Sequence, residues 1–146
     1  MKGLIGAGGS AMKSLKMLVA EDEFLSRNLL TRMIQNFGTV DGATNGAEAL
    51  AALKSAYEAG KPYDLVFLDI MMPEKDGQTT LKELRAFEED IGIPSPDACK
   101  VIMVTALGDA KNVMAAFKNQ CEGYVTKPYS AEAIKELVEK IAQTAN

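Results

Sequence analysis

The chain predicts a doubly wound α/β domain, a five-stranded parallel sheet with five helices, and three observations carry that expectation. Three short aliphatic runs, Met17-Leu18-Val19-Ala20, Leu65-Val66-Phe67-Leu68 and Val101-Ile102-Met103-Val104, each lead into a polar residue. Runs of this kind suit parallel strands covered by helices on both faces. Segments with helical spacing of apolar residues lie between and after them. Finally, 146 residues are enough for one ordinary domain and too few for two.

Taken in order, Met17–Ala20 is the first strand. Leu25, Leu29, Met33 and Phe37 then recur every four residues, and Leu30 and Ile34 widen the stripe into a helix face. Gly38 to Ala43, around Val40, is a weaker strand candidate. Leu50, Leu53 and Tyr57 mark a second helix, ended by Gly60 and Pro62. Leu65–Leu68 is the third strand. Leu81, Leu84 and Phe87 follow as a third helix before the turn residues Gly92, Pro94 and Pro96. The stretch Glu88 to Lys100 reads either as a loop or as a partner surface. After the fourth strand, Val113, Phe117 and Cys121 mark a fourth helix with Asp109 as its N-cap. Gly123 to Thr126, around Tyr124 and Val125, is the last strand, and Ile134, Leu137, Val138 and Ile141 the last helix, capped by Ser130. The short second and fifth strands suit sheet edges. Right-handed crossovers put helices on both faces, and five such units fit the flavodoxin-like order 2-1-3-4-5.

Composition narrows the function. A net charge of −4 argues against direct nucleic-acid binding, which needs clustered Lys and Arg. There is no histidine, so histidine triads, histidine-ligated metals and a phosphohistidine-donor role are excluded. Cys99 and Cys121 have no metal-ligand spacing and read as free thiols, Cys121 as a small apolar helix residue. No apolar run is long enough to span a bilayer and the N-terminus lacks a signal-peptide core, so a cytoplasmic protein without membrane association is expected. Residues 1–14 are glycine-rich and unpatterned. Gly6-Ala7-Gly8-Gly9 lacks the full strand that a dinucleotide-binding turn requires, and Met12 stands where a P-loop needs glycine before Lys13-Ser14. This segment is expected to be a flexible leader or an expression remnant, with Met12 as a native start and the domain over 15–146.

In open α/β sheets, ligands bind beyond the carboxyl ends of the strands. Glu21 and Asp22 follow the first strand, Asp69 ends the third, Thr105 the fourth, and Lys127-Pro128 follows the fifth. Any one of these is an ordinary cap, strand or surface residue; the joint pattern is what points to chemistry. Three clustered carboxylates favour a hard divalent ion with oxygen ligands, Mg²⁺ first and Mn²⁺ as a substitute. With that charge neutralised, Asp69 can serve as a carboxylate nucleophile toward a phosphoryl group. The Lys127 ammonium and the Thr105 hydroxyl would then meet the charge spread over the phosphoryl oxygens.

The segments LVAEDE (18–23), LVFLDIMMPEKDG (65–77), VIMVTA (101–106) and GYVTKP (123–128) resemble the signature blocks of bacterial response-regulator receiver domains, single-domain chemotaxis regulators in particular, over roughly residues 15 to 144. The resemblance implies that Asp69 is the phosphoacceptor. Asp22, Asp69 and the Met71 backbone carbonyl would ligate Mg²⁺, with Glu21 acting through water. Lys127 would pair with the phosphoryl group across a cis Lys127–Pro128 bond, and Pro73 and Gly77 would shape the loop after the acceptor. Thr105 and Tyr124 would be the switch that remodels the face of the fourth helix, fifth strand and fifth helix. The first acid is Glu21 where Asp is commoner. Met71 and Leu107, two beyond the acceptor and two beyond the threonine, are apolar and cannot orient an attacking water, which predicts slow self-dephosphorylation.

The implied partners are a histidine kinase and a downstream target or histidine phosphotransfer protein, met as a monomer or a phosphorylation-dependent dimer. Because the chain ends just past the last helix, output is expected to pass through a partner. Two other classes compete: a receiver-like interaction module that is never phosphorylated, and a haloacid-dehalogenase-type phosphohydrolase, which would need a second acid where Met71 stands. Glu23, Glu74, Lys75 and Asp76 are read as solvated loop charges, and Glu83, Glu88, Glu89, Glu132, Glu136, Glu139 and Lys140 as facing solvent.

Overall fold

The computed structural model describes residues 14–106 and 108–144. Apart from Ser14, the expected leader lies outside the described residues, and so does Leu107. The elements alternate throughout: β1 (Leu15–Ala20), α1 (Phe24–Ile34), β2 (Gly38–Ala43), α2 (Gly46–Glu58), β3 (Leu65–Asp69), α3 (Gly77–Asp90), β4 (Lys100–Ala106), α4 (Ala110–Lys118), β5 (Gly123–Lys127) and α5 (Ala131–Thr144). The sheet is parallel and its order is β2-β1-β3-β4-β5, the flavodoxin-like arrangement. Among the described residues, no helix is long and apolar enough to cross a membrane.

Alternation along the strands sends side chains into two cores. Leu18, Val66, Leu68, Val101 and Met103 pack under α2, α3 and α4, through Leu50, Leu53, Leu81, Leu84 and Ala116. Met17, Val19, Phe67, Ile102 and Val104 pack under α1 and α5, through Leu30, Ile34, Ile134 and Val138. Every residue of β3 is buried, which explains its unbroken apolar run. Ser130 Oγ accepts the Ala133 N–H at 3.3 Å, so the expected cap of α5 is present.

Several expectations need correction. The α1 stripe is carried by Leu30 and Ile34; Leu25, 72% exposed, and Leu29 face outward. Residues four apart drift around a helix by a fraction of a turn, so a run of four cannot stay on one face. Phe37 falls in a 3₁₀ turn, Gln35–Phe37, rather than in the helix. Cys121 lies beyond the end of α4, buried in the core, where burial pushes its thiol pKa up to about 11. Asp109 makes no side-chain cap bond; its carboxylate takes the Asn112 side-chain amide at 2.8 and 3.0 Å instead.

Glu88 is another. It is only 3% exposed, not solvated. Its carboxylate accepts from the Tyr57 hydroxyl, the Cys99 backbone N–H at 2.9 Å and Arg85 Nη1 at 2.7 Å. Arg85 also reaches Cys99 O at 2.8 Å, Gln120 O at 2.7 Å and Glu122 at 3.0 Å. Burial, then the Glu88 bond, raises the Tyr57 pKa above its ordinary value. This network ties α2 and α3 to the start of β4 and to the turn before β5. Lys75 is likewise not simply solvated: it pairs with Glu83 at 2.7 Å, and Asp76 caps α3 by accepting the Thr79 N–H at 2.8 Å.

Removing one member of a buried charge pair strands the other. Glu88→Ala is therefore expected to lower folding stability by about 3 kcal/mol, read from urea unfolding, because the Cys99 N–H loses its carboxylate and Arg85 keeps only the more exposed Glu122 as a charge partner. An Ala variant of exposed Glu89 is expected to be nearly silent in the same assay.

Candidate functional site

The parallel register brings the strand ends to one edge. Asp69 pairs with Val104, Thr105 with Thr126 and Ala106 with Lys127. The chain leaves β1 with Glu21 N–H bonded to Ala43 O at 3.0 Å, which turns Glu21 and Asp22 over the same edge. As a result Glu21, Asp22 and Asp69 each offer a carboxylate oxygen, all within 4.8 Å of one another. Glu21, Asp69 and Thr105 are buried and Asp22 is exposed. The sequence-derived residues thus meet.

Lys127 holds the centre. Its ammonium lies 3.0 Å from Asp69 Oδ2 and 2.5 Å from Glu21 Oε1. Burial works against the ammonium, yet the two carboxylates raise its pKa above the ordinary lysine value, so it stays charged. The second Asp69 oxygen accepts the Met71 N–H at 3.0 Å, and Glu21 Oε2 accepts the Glu23 N–H at 3.1 Å. Three carboxylates against one ammonium leave an excess of negative charge in a partly desolvated, all-oxygen site. That donor set fits a hard divalent cation.

The surrounding backbone is built to keep this geometry. The Lys127–Pro128 peptide is cis. Gly77 donates to Ile70 O at 2.9 Å, and a Cβ on Gly77 would lie 2.3 Å from Asp69 O, so only glycine lets the loop close under Asp69. Thr105 Oγ1 donates only weakly, to Ala106 O at 3.4 Å. Met71 is 71% exposed while Met72 is buried, so of the two only Met72 fills the core. Tyr124 points outward, 46% exposed, with its ring edge-on to Phe117 at 6.2 Å. Pattern reading missed Arg27, whose Nη1 donates to Glu21 O at 2.8 Å and braces the acidic turn from α1. Its one sequence signal was an arginine in the first turn of the first helix, six positions after Glu21. Tyr129, also missed, places its buried hydroxyl near the same acids.

A family model, the response regulator receiver domain, matches residues 17–139. The chain is 34% identical over 131 residues to the chemotaxis protein CheY of Listeria monocytogenes, covering 88% of this chain and 99% of that protein. It is 30% identical over 132 residues to the hybrid signal transduction histidine kinase L of Dictyostelium discoideum, covering 90% of this chain but only 7% of that protein's length. Among solved structures, the CheX–CheY–BeF3–Mg²⁺ complex from Borrelia burgdorferi matches with a TM-score of 0.74 and 26% identity, over 87% of this chain and 88% of that one. The chain belongs to the response regulator receiver domain family, the phosphorelay modules of two-component systems.

Gly77→Ala is expected to cost about 2 kcal/mol of stability, since an added methyl must push backbone rather than a flexible side chain. Gly60→Ala, where φ is +74° but nothing lies within 4 Å, is expected to cost less than Gly77→Ala in the same urea titration.

Proposed function

We propose that the unit 15–146 accepts a phosphoryl group onto Asp69 from a histidine kinase's phosphohistidine, or from a small phosphodonor. The single observation that carries this reading is the buried Asp69 carboxylate held between Lys127, at 3.0 Å, and the Glu21 and Asp22 carboxylates. An Asp69 oxygen attacks phosphorus; the P–N bond to the donor imidazole breaks, its electron pair stays on nitrogen, and an acyl phosphate remains. Asp22, Asp69 and the Met71 carbonyl would hold Mg²⁺ directly and Glu21 through water. Bound there, Mg²⁺ supplies the positive charge that lets an anionic nucleophile and an anionic phosphoryl group approach.

Lys127 stabilises the transferring group by exchanging its bond to Asp69 for one to a phosphoryl oxygen. Thr105 serves another oxygen; its hydroxyl is committed only to a 3.4 Å contact and can turn at little cost. That movement opens room beside β4 into which Tyr124 turns. A groove of about 300 Å³ lined by Thr105, Gly108, Val113, Met114, Tyr124 and Thr126 supports the route. The face of α4, β5 and α5 then changes shape for a target protein or a histidine phosphotransfer protein. Physically this is a population shift between two packings biased by one added charge. Such a module works in the cytoplasm, alone or as a phosphorylation-dependent dimer, without contacting nucleic acid or membrane.

Intact mass after incubation with Mg²⁺ and acetyl phosphate tests the core of this reading. The wild type is expected to gain one phosphoryl group only when Mg²⁺ is present, and Asp69→Ala to gain none. A gain retained by Asp69→Ala would move the acceptor elsewhere. Self-dephosphorylation is expected to be slow, because the exposed side chain two beyond the acceptor, Met71, cannot orient water. After donor removal, a mass shift that decays over seconds without any phosphatase would count against it.

A further inference from the structure

Tyr129 lies two residues past Lys127 and directly after the cis proline. Its ring packs against the core on the α1 and α5 face. Its hydroxyl, however, is buried and completes no hydrogen bond among the described residues. A buried hydroxyl without a partner has given up water for nothing in return, and native folds seldom leave one so. The charges around it are those of the acceptor site. Burial raises its pKa above the ordinary phenol value, and Glu21 adds to that shift through its charge and, least of all, through an incipient side-chain hydrogen bond, with Lys127 opposing and Asp69 adding. The hydroxyl therefore stands beside the Glu21 carboxylate, short of a finished bond.

Glu21 itself depends on Lys127. Its Oε1 meets the ammonium at 2.5 Å, deep in a site where the residue is 2% exposed. If Lys127, in turning toward a phosphoryl group, loosens from Glu21 as well as from Asp69, that oxygen loses its nearest hydrogen-bond donor in a desolvated place, which is costly unless another donor steps in. We propose that Tyr129 is a positioning residue of the acceptor site, whose hydroxyl donates to Glu21 Oε1 once Lys127 engages the phosphoryl oxygens. The inference rests on the reading of Asp69 as phosphoacceptor. It also gives the glutamate a reason: an aspartate at position 21 would draw its carboxylate back by one methylene, away from the phenol.

Tyr129→Phe removes the hydroxyl and keeps the ring, so packing is preserved. The probe is beryllium fluoride with Mg²⁺, a phosphoryl stand-in whose binding is read by calorimetry and needs no turnover. Wild type, Tyr129→Phe, Glu21→Asp and the double variant form a cycle. Tyr129→Phe is expected to weaken binding roughly tenfold, the worth of one hydrogen bond to a charged group. The thermal midpoint of the ligand-free chain should stay unchanged or rise, because the hydroxyl is unpartnered there. In the Glu21→Asp background, the same substitution should leave affinity where Glu21→Asp alone puts it. Equal affinity of wild type and Tyr129→Phe would overturn the proposal, and so would an equal loss in both backgrounds. Failure of the wild type to bind beryllium fluoride at all would instead bring down the phosphoacceptor reading, and this inference with it.

Discussion

The Lys127 ammonium, placed between Glu21 and Asp69, is the interaction on which the molecule's arrangement turns. It joins the ends of β5, β3 and β1, segments far apart in the chain, and it places a positive charge between two buried carboxylates at close range. With only one cation against three carboxylates, the edge remains electrostatically unfinished. Unfinished charge at a sheet edge is what would let a metal and a phosphoryl group be accepted there rather than excluded.

That edge needs a rigid frame. β3 is buried on both faces, so Asp69 cannot shift without disturbing two cores at once. Gly77 lets the following loop return beneath Asp69, and Arg27 pins the acidic turn from α1. At the far end of β4, the Glu88–Arg85 network fastens α3 and the turn before β5 to the strand. The frame is therefore stiff at both ends of the central strands, and what is left adjustable is α4. That helix buries only Ala116 and exposes Met114 and Phe117. A helix with so little core contact is the element a small change beside Thr105 can move.

Much of this was legible in the chain. The three aliphatic runs became β1, β3 and β4, and the polar residues at their ends meet at one sheet edge. Periodicity located every helix but misjudged details that depend on neighbours. The spacing of Leu25 and Leu29 is helical, yet which side of α1 meets the sheet is set by where β1 and α5 lie. Glu88 looks like any surface glutamate in a charged helix; only the folded chain brings Tyr57, Arg85 and the Cys99 N–H to it. Asp109 has the identity of a cap, but its carboxylate bonds to the Asn112 side chain instead.

The sequence by itself determined the alternation of strands and helices, because hydrophobic periodicity is a local property of the chain. It also determined which side chains stand at strand ends, since those follow directly in order. Tertiary structure alone decided the strand order, the register, and hence that Asp69, Lys127 and Glu21 meet within hydrogen-bonding range. Distances between residues 58 and 106 positions apart along the chain depend on how crossovers stack five parallel strands. Pattern carries no such information, because the same local preferences are met by more than one packing.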